Sequence, residues 1–547
     1  MALQPSFDRR QLLLGSALIA GSAAFPPLAY AAAFAPFAQA VSRGPSSRDV
    51  PAVGTTPSAT GTSYLKPVAQ GWHIVSLLTT GNEVNGYRMA GIPDGLGAFE
   101  NGDRSITLLM NHELAAGKGA ERAHGGKGAF VSRWRLDKDS LQVLAGQDFL
   151  TSPSKLHLWT GEGWKSADRV PAKQRDFNRF CSADLAPQSG LFNAQSGLGY
   201  QGRIFLNGEE GGGASANRAL AFIAETGEAY ELPGFAFGVP NDEKNLPPSW
   251  ENLLVCPVTS DVTLVAANSD GGSNQVYLYL GRKSREGSAV ERAGLTGGKI
   301  YALSVSGITV ENRTTNIGIE KSLVGKGAGK PVSLAEPNKG TSFLRPEDGA
   351  WDPRNPNLYY FVTTDRNNFA ADGTVRDGQD VAQIGRSRLW AVTFDDVTKI
   401  ATDGSPIGRI EMLLDGTEGG DMFDNVTIGD DGIIYLCEDP GNSRRNGKIW
   451  SYDTRSGAFE VVTKFEPSLF GDVVGGAYTP PAAPFVDDKE TSGILEVTDL
   501  FRDAVWYRPG ARVLLVVVQA HFNYDLTHPI GADLVEGGQL LLLVRDA

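Results

Sequence analysis

Cysteine is nearly absent from this chain, with three in 547 residues. Cys181, Cys256 and Cys437 cannot build a disulfide framework, so the fold has to be held by burial and hydrogen bonding. Histidine is also scarce, six in all. There is no basic excess: 50 Lys and Arg stand against 63 Asp and Glu, a formal net charge of −13, which argues against a nucleic-acid partner. Past the first thirty residues no run of eighteen apolar residues occurs, so no membrane span or stable anchor is expected. Four signatures are missing as well: a Gly-x-Ser-x-Gly elbow, a Walker loop, a His-Glu-x-x-His pair and a dinucleotide fingerprint. Their absence sets aside serine hydrolases of the elbow type and nucleotide-binding folds.

What is present begins with an address. Asp8-Arg9-Arg10 stands directly before a moderately apolar run, Leu12 to Ala24, diluted by Gly15, Ser16, Gly21 and Ser22. Pro26-Pro27 and the small-x-small pattern Ala29-Tyr30-Ala31 follow. These are the parts of a twin-arginine signal peptide, expected over residues 1–31. The reading places the protein in the periplasm or outside the cell, with the twin-arginine translocase as a partner during export. That route carries proteins already folded, often around a cofactor. Residues 32–63, rich in Ala, Pro, Ser and Gly, read as a flexible leader. Removing the signal's net charge of +1 would leave −14 on the remaining 516 residues.

Residues 64–547 read as one all-β domain. Helical patterns are few, and short β-rich runs recur between Gly, Asn, Asp and Pro. Six apolar runs share one plan, each ending in polar or acidic residues: Ser105–Glu113, Gly202–Glu210, Val262–Asp270, Leu358–Asp365, Gly432–Asp439 and Arg512–His521. Companion strands follow some of them, at Val276–Leu280, Arg388–Val392 and Lys448–Tyr452. Near-continuous apolar character suits strands buried on both faces. The repeat and the unbroken length predict a single six- or seven-bladed β-propeller with loop insertions.

If the six strands are equivalent, their ends converge on one mouth of the central channel. Glu113, Glu209, Glu210, Asp270, Asp365, Glu438, Asp439 and His521 would gather there, joined by Glu347, Asp348, Asp424 and Asn425. So many carboxylates cannot stay ionised together without cations. Oxygen donors in number suit Ca²⁺, and a mixture with imidazole or thiolate suits a transition metal such as Fe or Mn. Asp, Asn and Gly at strand ends also serve as ordinary turn residues, but the pairs Glu209-Glu210 and Glu438-Asp439 are poor turn formers. Cys181, in the polar stretch Arg179-Phe180-Cys181-Ser182, is the candidate thiolate ligand. Cys256 and Cys437 read as core packing. Arg345 is placed to clamp a phosphate oxygen, or to pair with a neighbouring carboxylate.

The order Asn111-His112-Glu113, Glu209-Glu210, Arg345-Pro346-Glu347, Asp424-Asn425 before an acidic strand end, and Gln519-Ala520-His521 resembles the PhoX-type alkaline phosphatases. That resemblance covers residues 70 to 540 in short patches. It implies an exported propeller that uses calcium together with iron, and it extends to related propeller phosphotriesterases. By the same resemblance Asn111 and His112 join Arg345 in the catalytic set. Glu113, Cys181, Glu209, Glu210, Glu251, Glu347, Asp424, Glu438, Asp439 and His521 would be metal positions. Three patches depart from the family: its Thr-Cys-Glu-Glu reads Asn207-Gly208-Glu209-Glu210, its Lys-His-Glu reads Trp250-Glu251-Asn252, and its late Gln-His-Pro reads Gln519-Ala520-His521-Phe522. The expected activity is metal-dependent hydrolysis of a small phosphoester. A calcium-stabilised binding propeller and a lactonase-type hydrolase are the alternatives.

Overall fold

Six stretches of the chain repeat one unit of four antiparallel strands. This computed structural model describes residues 54–56, 58–59, 61–211, 217–239, 242, 244–315, 317–366, 385–475, 477–522 and 530–547. The expected signal peptide and most of the expected leader lie outside them. No helix among the described residues is long and apolar enough to cross a membrane.

The innermost strand of each unit lies next to that of the following unit, and the sixth returns to the first, so the architecture is an all-β propeller. We number these inner strands β1 (Pro93–Glu100), β2 (Ala183–Leu185), β3 (Leu254–Val255), β4 (Pro346–Trp351), β5 (Phe423–Ile428) and β6 (Lys489–Glu496). The six apolar runs seen in the sequence are the second strands of the same units: Ser105–His112, Ile204–Gly208, Val262–Asn268, Leu358–Thr363, Ile433–Glu438 and Arg512–Ala520. Their continuous apolar character has a packing cause. Successive side chains of a strand point to opposite faces, and here each face meets a different blade. Tyr435 packs in the cluster shared with the sixth blade, which includes Val516 and Leu541, while Leu436 packs in the cluster shared with the fourth, which includes Tyr360 and Leu389. Six apolar clusters fill the six interfaces between blades.

The last blade joins the two ends of the described chain. Trp72–Thr79 pairs with Gly537–Arg545, which pairs in turn with Arg512–Ala520. Gly54–Thr55, within the expected leader, adds a short parallel pairing outside Val75–Ser76. Between the third and fourth blades, Lys330–Ala335 pairs with both outer strands and merges the two sheets into one of nine strands.

The inner strands approach closely at their starts, and glycine makes that possible. A Cβ on Gly95 would meet Ala183 N and Cys181 O at 2.6 Å, and one on Gly493 would meet Asp94 O at 2.6 Å. Four of the six inner strands carry a register shift near that end, between Pro93 and Leu96, Pro346 and Gly349, Phe423 and Val426, and Thr491 and Ile494. A bulge of this kind re-aims side chains out of strict alternation.

The closing seam makes a stability prediction. Leu542 is fully buried between Val75 and Leu515, so Leu542→Ala should cost about 2–5 kcal/mol. Val310→Ala, at a 61% exposed position, should stay within about 0.5 kcal/mol. Denaturant titration at unchanged slope is the measurement.

Candidate metal centre

Each blade sends its inner strand inward behind the same short pattern, a bulky residue followed by a donor: Pro93-Asp94, Phe180-Cys181, Trp250-Glu251, Pro346-Glu347, Phe423-Asp424 and Lys489-Glu490. These six donors form an inner ring around the axis. At four of the six positions the residue two places ahead is a non-glycine held at positive φ: Ile92 at 51°, Arg179 at 24°, Arg345 at 60° and Met422 at 51°. A β-branched residue such as Ile92 rarely adopts this backbone, and repeated strain of this kind marks segments whose side chains must be aimed. The ends of the second strands supply an outer set: Glu113, Glu210, Asp270 and Asp439.

The donors lie within coordinating reach. Ligand atoms of Asp94, Glu113 and Cys181 fall within 4.8 Å of one another, as do those of Glu251, Glu347 and Asp424, and those of Asp424, Asp439 and Glu490. Asp424 belongs to two groups and links them. Cys181 Sγ is 3.1 Å from Glu210 Oε2, which ties Glu210 to the first. Two arginines face this charge. Arg345 reaches Asp270 at 2.6 Å and Glu347 at 3.0 Å, and Arg179 reaches Glu210 at 3.3 Å. Both arginine side chains are 41% exposed, so their outer edges look into the mouth.

Burial and mutual repulsion push these acids up. Burial is the larger cause for Asp94, with Glu113 and Glu490 adding to it, and both it and Glu251, Glu347 and Asp424 stand well above the usual carboxylate range. Glu210 is raised to about 7 and Glu490 to about 8. Burial raises the Cys181 thiol well above its ordinary value, with Glu113 and Glu210 contributing.

Buried amides hold the ring in register. Asn425 donates to Asp94 Oδ1 at 3.2 Å and to Ser182 Oγ at 2.9 Å, and Ser182 donates to Glu251 at 2.5 Å. Gln519 donates to Glu113 at 3.0 Å and to Ser492 at 3.2 Å. The carbonyl oxygens of both amides are buried and accept no hydrogen bond. Carboxylates in number, one thiol and unfilled amide oxygens suit hard cations beside a softer metal, so the donor set fits resident cations.

The residues singled out in the sequence divide into two groups. Glu113, Cys181, Glu210, Glu251, Glu347, Asp424, Asp439 and Arg345 come together at this mouth. His521 stands beside it, 2.7 Å from Glu536 and 3.8 Å from Glu490. Burial opposes its charge, but the two carboxylates prevail and raise its pKa well above the usual value. The others turn away. His112 is fully buried in its blade, bonded to Gly91 O and Ser132 Oγ, stacked on Phe130 and pushed by burial down to about 3. That placement replaces the catalytic role expected of it with a packing role. Glu209 is paired with Arg218, and Glu438 is enclosed by Arg445, the Trp450 indole N–H and the backbone of Asp421 and Lys448. Asp365 is bound to Arg313. Asn111 donates to Cys181 O at 2.7 Å and to Asn207 at 2.6 Å, so it fixes the Cys181 backbone. Asp94, Glu490 and Arg179 were not singled out in the sequence, although the repeated bulky-then-donor pattern was there to find the two acids.

No family model matches the chain, and no curated protein matches it. Among solved structures it is similar to Pseudomonas fluorescens PhoX in complex with vanadate, a transition state analogue. Identity is 12%, over 90% of this chain and 97% of that one, with a TM-score of 0.49. It is also similar to a Bacteroides fragilis protein described as a candidate 6-phosphogluconolactonase, at 10% identity over 66% of this chain and 95% of that one, with a TM-score of 0.24. Neither likeness is close enough to transfer chemistry to this chain.

Stripped of cations, the protein should gain stability on mild acidification. An acid whose pKa is raised by folding binds its proton more readily in the folded state, so its stabilising effect is full below the unfolded value near 4 and fades as pH rises through the folded value. Glu210, Asp184 and Asp348, raised to about 7, and Glu490, raised to about 8, set a window from about pH 4 to 8. Buried His112 and His124, lowered to about 3 and about 4, act in the opposite sense below pH 6.5 and are outnumbered. The melting temperature of chelated protein should therefore rise from pH 8 to pH 5.5. Cation-loaded protein should show the reverse, because protons then compete with the bound ions.

Proposed function

We propose that this mouth is the active site of an exported metal-dependent hydrolase of phosphate esters. One observation supports the reading most: a ring of buried carboxylates and a thiol, drawn together from all six blades, with only two arginines beside them among the described residues. The inner-ring donors, with Glu113, Glu210 and Asp439, would hold two or more cations, Ca²⁺ together with Fe or Mn. When bound, such cations polarise phosphoryl oxygens and offset the charge that builds in the transition state. The chain's own residues do the rest. Arg345, anchored to Asp270 through Nε and Nη2 and to Glu347 through Nη2, keeps Nη1 to donate to a non-transferring phosphoryl oxygen. Arg179, given no site role in the sequence, offers a second cation from another blade. Asn111 holds the Cys181 backbone, while Asn425 and Gln519 orient carboxylates that would otherwise swing apart. The walls of the bladed ring limit bulk water, which strengthens every charge interaction within. Export by the twin-arginine route, into the periplasm or beyond, belongs to the same proposal and rests on Arg9-Arg10 and the run that follows.

The test is metal analysis of protein purified from its own compartment, coupled to hydrolysis of mono-, di- and triester p-nitrophenyl substrates before and after chelation. Bound Ca²⁺ plus a transition metal, and activity lost on chelation, are expected. Glu347→Gln should lower kcat/KM by about 10²-fold or more together with metal content, and Arg345→Ala should lower it by about 10²-fold at unchanged metal content. Cys181→Ser should shed the transition metal first. Full metal occupancy with no hydrolysis of any ester would overturn the activity and leave a calcium-stabilised binding propeller.

A further inference from the structure

The mouth does not account for a second cavity behind it. Glu209 and Glu210 are consecutive in extended chain, so their side chains point to opposite sides. Glu210 faces the acidic ring. Glu209 faces a separate cavity of about 510 Å³ in the second blade, lined in part by Trp159, Lys173, Gln174, Asp176 and Glu231. That volume lies in the range of small-molecule sites.

The charged floor of this cavity is largely committed within the protein. Arg218 gives Nε and Nη2 to Glu209 at 2.8 and 2.5 Å, Nη1 to Gln174 O at 3.0 Å and Nη2 to Asp176 O at 2.5 Å. Its guanidinium also lies over the Phe177 ring. With four of its five N–H groups committed, Arg218 has little left to offer an anion, and the three carboxylates beside it (Asp176, Glu209 and Glu231) repel a phosphate. The remaining lining is a mixture of donors and acceptors. Glu231 is pinned by the Trp159 N–H at Oε2, 3.0 Å, and by the Trp164 indole N–H at its backbone oxygen, 2.8 Å. Its second oxygen makes no hydrogen bond among the described residues. The Trp159 indole N–H, the Lys173 ammonium and the Gln174 amide likewise have no hydrogen bond among the described residues. Trp159 is half-buried and held edge-on against Trp164, with ring centroids 5.0 Å apart.

Interspersed donors and acceptors around an indole match a ligand that both gives and takes hydrogen bonds while presenting C–H surface to a ring. We propose that this cavity is a saccharide-binding site that accepts a neutral pyranose or short oligosaccharide, separate from the acidic ring. Sugar hydroxyls donate to Glu231 and Asp176 and accept from Lys173 and Trp159, and a sugar face lies on the Trp159 ring. The site does not depend on the hydrolase reading, because no group of the ring takes part.

The test is isothermal titration calorimetry of the whole protein with glucose, N-acetylglucosamine and maltose. Inorganic phosphate and putrescine serve as probes of the competing anion and amine chemistries. At least one saccharide should bind with a Kd of about 1 mM or tighter. Trp159→Ala and Glu231→Gln should each weaken it about tenfold at unchanged melting temperature, while Glu347→Gln in the acidic ring should leave it unchanged. Lys173→Ala, at an exposed position, gives a second reading should Trp159→Ala fail to fold, and it should weaken binding about threefold or more. No saccharide heat up to about 50 mM, binding of phosphate or putrescine alone, or undiminished affinity in the variants would overturn the proposal.

Discussion

Repulsion among carboxylates confined around one axis governs this structure. At an effective dielectric of 20, two unit charges 5 Å apart repel by about 3 kcal/mol, and a whole domain is stable by only about 5–15 kcal/mol. A few ionised pairs of this kind would cancel the net stability of the fold. The acids of the ring therefore exist as carboxylic acids or as partners of cations. The raised values of Glu210 and Glu490, at about 7 and about 8, are the first solution. The unfilled oxygens of Asn425 and Gln519 suit either solution, since an acid's O–H can donate to them and a cation can bind them.

Holding such a ring open needs energy from elsewhere, and the blade interfaces provide it. The six apolar clusters sit between neighbouring blades, so every interface presses two inner strands together at the axis. The register shifts and the left-handed residues Ile92, Arg345 and Met422 are local costs of aiming donors inward. They persist because strands buried on both faces leave the backbone no other course. Structure and site are thus coupled mechanically: loosening an interface lets two donors separate.

Half of this design was legible in the sequence. The six second strands stand out because double-sided burial writes a continuous apolar run, and their equivalence led to the propeller and to Glu113, Glu210 and Asp439. The inner strands left little trace. Ala183–Leu185 and Leu254–Val255 are too short for any periodicity, and bulges break the alternation of β1, β4, β5 and β6. At the strand ends, parity decided what could not be read. His112 and Glu113, Glu209 and Glu210, Glu438 and Asp439 are neighbours of similar chemistry, and one residue of phase sends the first of each pair into the blade or behind it and the second to the mouth. Composition cannot supply that phase. Only the register of the pairing strand can.

Closure of the ring sets an order of events. The six inner-ring donors come from positions between 94 and 490, and the last interface forms only when Trp72–Thr79 pairs with Gly537–Arg545 across more than 450 residues of chain. Contacts of such separation are late and slow to form. Before that seam closes, the groups built on Glu490 and Asp94 lack one wall, and a cation finds too few donors to bind there. After it closes, the proposed cations would favour the closed state by mass action, since they would bind the folded ring and not the open chain. A chain with this topology assembles its centre where folding is completed. Under the proposed twin-arginine export, that requirement would connect Arg9-Arg10 with the acids at the axis.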